Sequence, residues 1–488
     1  MITCNNKIKS LLAALCLFSV LPACGDAGFG ATPGGVQDIN FARDIVDAGN
    51  VPPPEAFFVE GIFSEHDLPL EGEVCESTLC LRAATGVAPD ATGKEAGWIQ
   101  VGLSSNIVPE NFEHPSQTII AVVDVSCSMG WAYGQPDDQE EAMTAGQVTK
   151  RLLREMAKRL RPQDNLAIIT YGSSVSTELD ITSGNEKEDI EDAIDDLDSG
   201  GVTNMEAGLE EAYELAEDAK TNTEKTRLIL FTDVQPNVGA TDAGSFRDMV
   251  KRGAEKNIAL TVIGAGIGMG VEIFGAMADL KGGNAFSLSK GSDINALMEE
   301  SWPWMLVPIA SDLEMSLETP SSIGIESSYG FPNGGKADED LMKVSTVFLS
   351  RKRGALLLKL TDANEQIRGQ ALSAELRYKD YEQQEKLQTL QLSFPTSTST
   401  NTAYIFEQSS VGRATALALL VTGMKKAAEL YQEDRPAATE MFRPIVARIV
   451  ADAEFFDDDG LREEAKFAQK MLKLMEEEAP QGNFYGRF

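Results

Sequence analysis

The chain has 488 residues, with 42 Lys+Arg against 76 Asp+Glu, for a formal net charge of −34. That much negative charge repels phosphate backbones and argues against nucleic-acid partners. Its two histidines, His66 and His114, cannot supply a multi-His metal site and leave little for a Ser-His-Asp enzyme. The acidity is consistent with cation affinity, but composition alone favours solubility or salt adaptation.

Met1–Cys24 has a basic start, Lys7 and Lys9, then an apolar run, Leu11–Leu21, that is short for a membrane span. It ends in Leu21-Pro22-Ala23-Cys24, which resembles a bacterial lipobox. The resemblance implies a signal peptide over 1–23 and a lipid-modified Cys24, hence a lipid-anchored membrane lipoprotein of the cell envelope. An ordinary secretory signal is the alternative. Removing 1–23 takes away two lysines and no acid, leaving a net charge of −36. Acyl chains, at about 0.8 kcal/mol per buried CH₂, would then do the anchoring. Asp26 stands one place after the position of the usual inner-membrane retention signal, which favours outer-membrane sorting. No later run of 18 or more apolar residues occurs.

Export makes cysteine pairing relevant. Cys75 and Cys80 are close enough in sequence to close a small disulfide loop, or they are two thiols. Cys127 is left over.

Residues 24–55 read as a Gly/Ala/Pro-rich tether over 25–39 followed by a short helix, Phe41–Ala48, capped by Asn40. Residues 56–117 are β-rich, with Trp98–Leu103 alternating as a half-buried strand. From 118 to 302, continuous apolar runs (Ile119–Val123, Leu166–Thr170, Leu228–Phe231 and Ile258–Ile263) fit buried parallel strands. Amphipathic segments over 145–160, 186–197 and 205–219 lie between them, with a last helix at Asp293–Ser301. That alternation predicts an α/β domain with a doubly wound, mostly parallel sheet. Residues 303–400 return to strand periodicity at Asp312–Leu317, Val344–Leu349 and Ala355–Leu360, with a hairpin of Ala374–Tyr378 and Lys386–Phe394. Residues 401–488 are helical, over 405–432, 436–452 and 460–477.

Strand Ile119–Val123 runs into Asp124-Val125-Ser126-Cys127-Ser128. Gly200-Gly201-Val202-Thr203-Asn204 precedes a helix, and Phe231-Thr232-Asp233 ends another buried strand. All three sit where open α/β sheets bind ligands. Together they resemble the von Willebrand factor type A domain with its metal-ion-dependent adhesion site, over about 118–302. The resemblance implies that Ser126, Ser128 and Thr203 ligate a magnesium ion (or manganese or calcium). Asp124 and Asp233 would act mainly through waters or hydrogen bonds. Neutral hydroxyls leave such an ion electron-poor, ready to take an acidic side chain from a protein partner. This is adhesive binding chemistry, not that of an enzyme. A structural scaffold whose metal only stabilises the domain is the alternative.

The residue between the two serines is usually Gly in the family. Here it is Cys127, read either as a small buried residue pointing away from the metal or as a redox-sensitive one. Trp131–Asp138 follows, either a partner-contact loop or a solvent loop. Gly264–Met269 lacks the third Gly of a dinucleotide fingerprint. Asp457–Gly460 reads as a turn before a helix, because Phe455 stands where a calcium loop needs its first ligand. Phe41–Val59 resembles the segment before the A-domain in a group of bacterial envelope proteins. That resemblance implies that Trp98–Leu103 pairs with strands from 305–396, with the A-domain inserted in a β-sandwich.

Overall fold

The computed structural model describes residues 30–108, 115–130, 143–219, 225–266, 270–288, 290–302, 304–332, 342–363, 366–396 and 404–477. The signal segment, Cys24, His114 and Trp131–Asp138 lie outside the described residues.

The chain enters through β1 (Gly30–Pro33) and β2 (Gly35–Val36), then α1 (Asn40–Asp47), α2 (Val59–Glu65), β3 (Cys80–Pro89) and β4 (Glu95–Ser104). The tether reading fails from Gly30 onward. Gly30–Val36 is buried and pairs with both sheets of the molecule. Its small residues serve close approach: a Cβ on Gly34 would stand 2.6 Å from the Gly283 carbonyl oxygen. Helix α1 starts at Asn40 itself, and the Asn40 amide donates to Asp38 Oδ1 at 3.0 Å, so Asn40 is not the cap.

The α/β unit follows as β5 (Gln117–Asp124), α3 (Ala145–Arg159), β6 (Asn165–Tyr171), β7 (Val175–Ser183), α4 (Lys187–Asp195) and α5 (Met205–Ala219). It continues with β8 (Lys225–Thr232), α6 (Ala243–Glu255), β9 (Ile258–Ala265), α7 (Val271–Ala278), β10 (Asn284–Leu288) and α8 (Gly291–Ala296), which runs into a π-turn, Leu297–Ser301. The sheet order is β2-β10-β9-β8-β5-β6-β7, with β7 the antiparallel edge. Alternation in β5 divides the two faces. Ile119, Ala121 and Val123 pack with α3, α4 and α8, whereas Ile120 and Val122 pack with α5, α6 and α7. Each such buried Ile or Val contributes about 1.5–3 kcal/mol. Thr144 and Gln147 close a capping box at the start of α3, fixing where that helix begins.

The remaining strands are β11 (Pro308–Glu318), β12 (Ile323–Tyr329), β13 (Lys343–Ser350), β14 (Ala355–Asp362), β15 (Ala371–Asp380), β16 (Glu385–Ser393) and β17 (Ile405–Phe406). β4 pairs antiparallel with β14 over Gly97–Gly102, so strands from before and after the α/β unit share one sheet. β12-β14-β4-β3-β17 form one layer and β1-β13-β11-β15-β16 the other, joined where Gly30 meets both Ser104 and Ser350. Between the layers pack Ile99, Val101, Leu313, Val347, Leu358 and Leu376. The α/β unit is thus inserted into a β-sandwich. Cys75 and Cys80 are joined as a disulfide at the start of β3.

The chain ends in α9 (Ser409–Glu433), α10 (Arg435–Phe456) and α11 (Asp459–Glu476). These cover the outer face of the first sandwich layer, where Trp98, Ala84 and Leu357 meet Leu417 and Val421. Asp457 turns left-handed and Asp458 caps α11 by accepting from the Leu461 amide at 2.9 Å, so this acidic run is a turn before a helix.

Candidate metal centre

β5 and β8 are neighbours in the middle of the sheet, and their carboxyl ends carry Asp124 and Asp233 side by side. The chain leaves β5 toward β6 on one side and reaches β8 on the other. The site therefore lies at the switch point where such sheets open a crevice. After Asp124 the backbone curls into a short turn, Cys127–Gly130. That turn brings Ser126 Oγ to 3.0 Å from Ser128 Oγ. The Ser126 amide donates to Asp124 Oδ1 at 2.8 Å, so the carboxylate shapes its own loop.

Thr203 arrives from the loop before α5. Its amide donates to Asn237 Oδ1 at 3.0 Å, and its carbonyl accepts from the amides of Asn237 at 3.0 Å and Val238 at 3.2 Å. The segment after Asp233 thereby holds the Thr203 loop. The Asp124 and Thr203 loops are also tied directly, by the Gly200 amide to the Val125 carbonyl at 2.5 Å and the Cys127 amide to the Gly201 carbonyl at 3.1 Å. The structure brings Asp124, Ser126, Ser128 and Asp233 together and ties the Thr203 loop to them through the backbone.

Two buried acids share the site, and each carboxyl is shifted upward. Burial, and then the neighbouring Asp233, push the Asp124 carboxyl up to about 6. Burial also raises Asp233, against hydrogen bonding from Ser128 and the Gln235 amide. Asp233 is 7% exposed, and its Oδ1 has no hydrogen-bond partner among the described residues. A buried carboxylate oxygen without a partner is costly, and a metal ion or a metal-bound water would satisfy it. Two carboxylates and three hydroxyls form an all-oxygen donor set suited to a hard divalent cation. Among the described residues no group of three or more His, Cys, Asp and Glu offers a competing metal site.

Val234 follows at φ 55°, a left-handed conformation that a β-branched residue adopts only under compulsion. Its amide donates to Thr232 Oγ1 at 2.9 Å, and that hydroxyl donates to Asp124 Oδ2 at 2.9 Å. The strain sits where the backbone must turn sharply to aim Asp233.

Sequence reading missed several supports. Tyr171 is fully buried and donates its hydroxyl to Asp124 Oδ2 at 3.2 Å. Thr232 does the same from the end of β8. Asn237 braces Thr203, and Glu206 Oε2 accepts from the Ala240 amide at 2.8 Å. Thr232 adjoins Asp233, so its place was readable. Tyr171 lies one residue past the apolar run Leu166–Thr170 and belongs to no motif, and the loop residues carry no periodic signal. Cys127 is a correction to the small-buried-residue reading: it is exposed, and its Sγ accepts from the Gly201 amide at 3.1 Å. The turn over 127–130 lifts it out of strand alternation.

The "Uncharacterized protein YfbK" of Escherichia coli (strain K12) is 29% identical over 282 residues, 57% of this chain and 47% of that protein. The chain thus spans about half the length of that relative. The von Willebrand factor type A structure from Catenulispora acidiphila is 12% identical, covering 83% of this chain and 98% of its own, with a TM-score of 0.49. The ArnB paralog VWA2 of Sulfolobus acidocaldarius is 14% identical, covering 82% and 97%, with a TM-score of 0.44. Residues 119–235 match the family described as von Willebrand factor type A domain.

Proposed function

We propose that this chain is a lipid-anchored protein of the bacterial cell envelope that binds a protein partner through a divalent metal ion. The observation that carries this reading is the buried, unpartnered Asp233 Oδ1 beside Asp124 and the Ser126–Ser128 pair. Ser126, Ser128 and Thr203 would hold magnesium, manganese or calcium, with Asp124 and Asp233 supporting from behind. The bound ion supplies an electron-poor acceptor for a carboxylate of the partner. Tyr171, Thr232 and Asn237 keep the two carboxylates and Thr203 in place. The reading is adhesion, a binding chemistry that needs no nucleophile or general base.

The deciding experiment is an envelope pull-down with native protein, native protein in chelator, and Asp124→Ala. The partner list is expected to lose the same protein in both altered arms. Identical lists in all three would overturn adhesion. If chelator lowered the melting temperature but left the list unchanged, the scaffold alternative would stand. Anchoring rests on Leu21-Pro22-Ala23-Cys24, and the placing of Asp26 one residue past the retention position favours the outer membrane. Labelling with an alkyne fatty acid should mark native protein and miss Cys24→Ser.

A further inference from the structure

A cavity of about 150 Å³ lies where the amino ends of β8 and β9 meet β11 of the sandwich. Asp124 and Asp233 stand at the carboxyl ends of β5 and β8, so the cavity lies at the opposite end of the same strands from the metal centre. An apolar cavity of roughly that volume holds benzene, which sets the scale of a ligand at about six non-hydrogen atoms.

Arg227, on β8, lines this cavity. It is 3% exposed and has no ion-pair partner among the described residues. Its Nη1 donates to Thr261 Oγ1 at 2.9 Å and to the Gly282 carbonyl at 3.0 Å, and its guanidinium carbon lies 5.5 Å from the centre of the Phe348 ring. These contacts hold the group in place and leave Nε and Nη2 without a hydrogen-bond partner among the described residues. Neither nitrogen is one of the sealed, unpartnered polar atoms of the interior, so both keep accessible surface on a side chain that lines the cavity. Buried charges are ordinarily paired. Here burial alone pushes the guanidinium down to about 9, with no carboxylate acting against it, and it stays charged at neutral pH.

The rest of the lining is also cationic, in a chain whose net charge is −34. Lys225 stands two residues before Arg227 on β8, hence on the same face of the strand, with its Nζ 5.1 Å from the centre of the Tyr381 ring. Lys281 lines the cavity too, shared with Asp312 at 3.1 Å. Asp380 is the one acid in the lining among the described residues. It is taken up by Lys386 at 3.1 Å and by the Gln384 amide at 2.9 Å. Leu306, Pro308 and Ala310 give the cavity an apolar side, which inorganic phosphate would leave unmatched. The Nε and Nη2 hydrogens of an arginine form a parallel fork that matches the two oxygens of a carboxylate.

We propose that this cavity binds a short-chain carboxylate, with its two oxygens on Arg227 Nε and Nη2 and its tail against Leu306 and Pro308. The site is separate from the metal centre and needs no metal.

The test is calorimetry on the full chain in Tris buffer without added metal, titrated with propionate, butyrate, isobutyrate, butyramide and inorganic phosphate. At least one of the three carboxylates is expected to saturate one site and raise the melting temperature. Butyramide, close in shape to butyrate but uncharged, should bind at least about tenfold more weakly, as should the carboxylate to Arg227→Met. Asp124→Ala should bind the carboxylate as the native protein does, which sets this site apart from a carboxylate held by the metal centre. No saturable binding by any of the three carboxylates would overturn the proposal. So would butyramide binding as well as butyrate, undiminished binding by Arg227→Met, loss of binding in Asp124→Ala, or phosphate binding more tightly than every carboxylate. Should Arg227→Met fail to fold, Lys225→Ala, at an exposed side chain, takes its place: severalfold weaker binding supports the site and unchanged binding overturns it.

Discussion

Cys127 and Gly201 clasp each other: the Cys127 amide donates to the Gly201 carbonyl at 3.1 Å, and the Gly201 amide donates to Cys127 Sγ at 3.1 Å. Gly201 sits at φ +94°, and a Cβ there would stand 2.2 Å from Ser173 Oγ, so only Gly serves. The clasp fixes the Thr203 loop relative to the two serines. Cys127→Ala keeps one hydrogen bond and loses the sulfur acceptor, a cost of about 0.5–1.5 kcal/mol. Magnesium affinity by calorimetry should fall severalfold in Cys127→Ala, and further when the exposed thiol is alkylated. Equal affinities in all three forms would show that the clasp does not position Thr203.

Two buried carboxylates face each other across the site, and one oxygen lacks a partner. Removing one charge should therefore help the metal-free fold while ruining the site. Asp233→Asn is expected to raise the melting temperature at pH 7.5 in chelator and to abolish any further rise on adding magnesium. Native protein should behave in the opposite way, less stable in chelator and recovered by magnesium. A variant less stable than native protein in chelator would mean that the carboxylates do not repel.

The α/β unit was legible because its strands are buried on both faces and read as continuous apolar runs, such as Leu228–Phe231, within β8. Site residues were legible because each ends a run or opens a helix. The strap Gly30–Val36 was not. A strand built from Gly, Ala, Thr, Pro and Val has the composition of a linker, and only its neighbours reveal why bulk is excluded. β7 was missed for the opposite reason: Ser176, Thr177 and Glu178 face solvent on an edge, so no apolar run marks it. The ion pair of Arg43 and Glu464 joins residues some 400 positions apart in sequence. No local pattern encodes that.

Gly30 marks the corner where the sandwich layers join, pairing with Ser350 of β13 and Ser104 of β4. A Cβ there would lie 2.0 Å from the Lys352 carbonyl oxygen, a backbone atom that cannot swing aside. Gly30→Val should destabilise the fold by about 1–3 kcal/mol, the usual cost of overpacking. Gly93→Val is the control, because a Cβ at Gly93 meets nothing within 4 Å although its φ is positive, at +83°. Urea unfolding should show the larger loss at Gly30. A loss confined to the control would mean that strain, and not the corner, governs this sheet.

Glu60 on α2 and Asp279 after α7 bring two acids into one poorly hydrated region. Burial, and then Glu60, raise Asp279 to about 8, against Arg247 at 3.7 Å. Burial raises Glu60 to about 7, despite backbone hydrogen bonds and Lys425. Both folded values exceed the unfolded ones, 4.5 for Glu60 and 3.8 for Asp279. The folded state then holds protons that the unfolded state has released. That contribution is full below the unfolded values and is lost as pH rises through 7 to 8. Asp67 and Asp90 shift the other way, each lowered by a basic partner, so the native curve alone mixes signs. The difference between variant and native protein isolates this pair. Glu60→Gln and Asp279→Asn should match native melting temperatures near pH 4 and exceed them above pH 8. A difference that did not change with pH would mean that these carboxyls ionise as easily in the fold as in water.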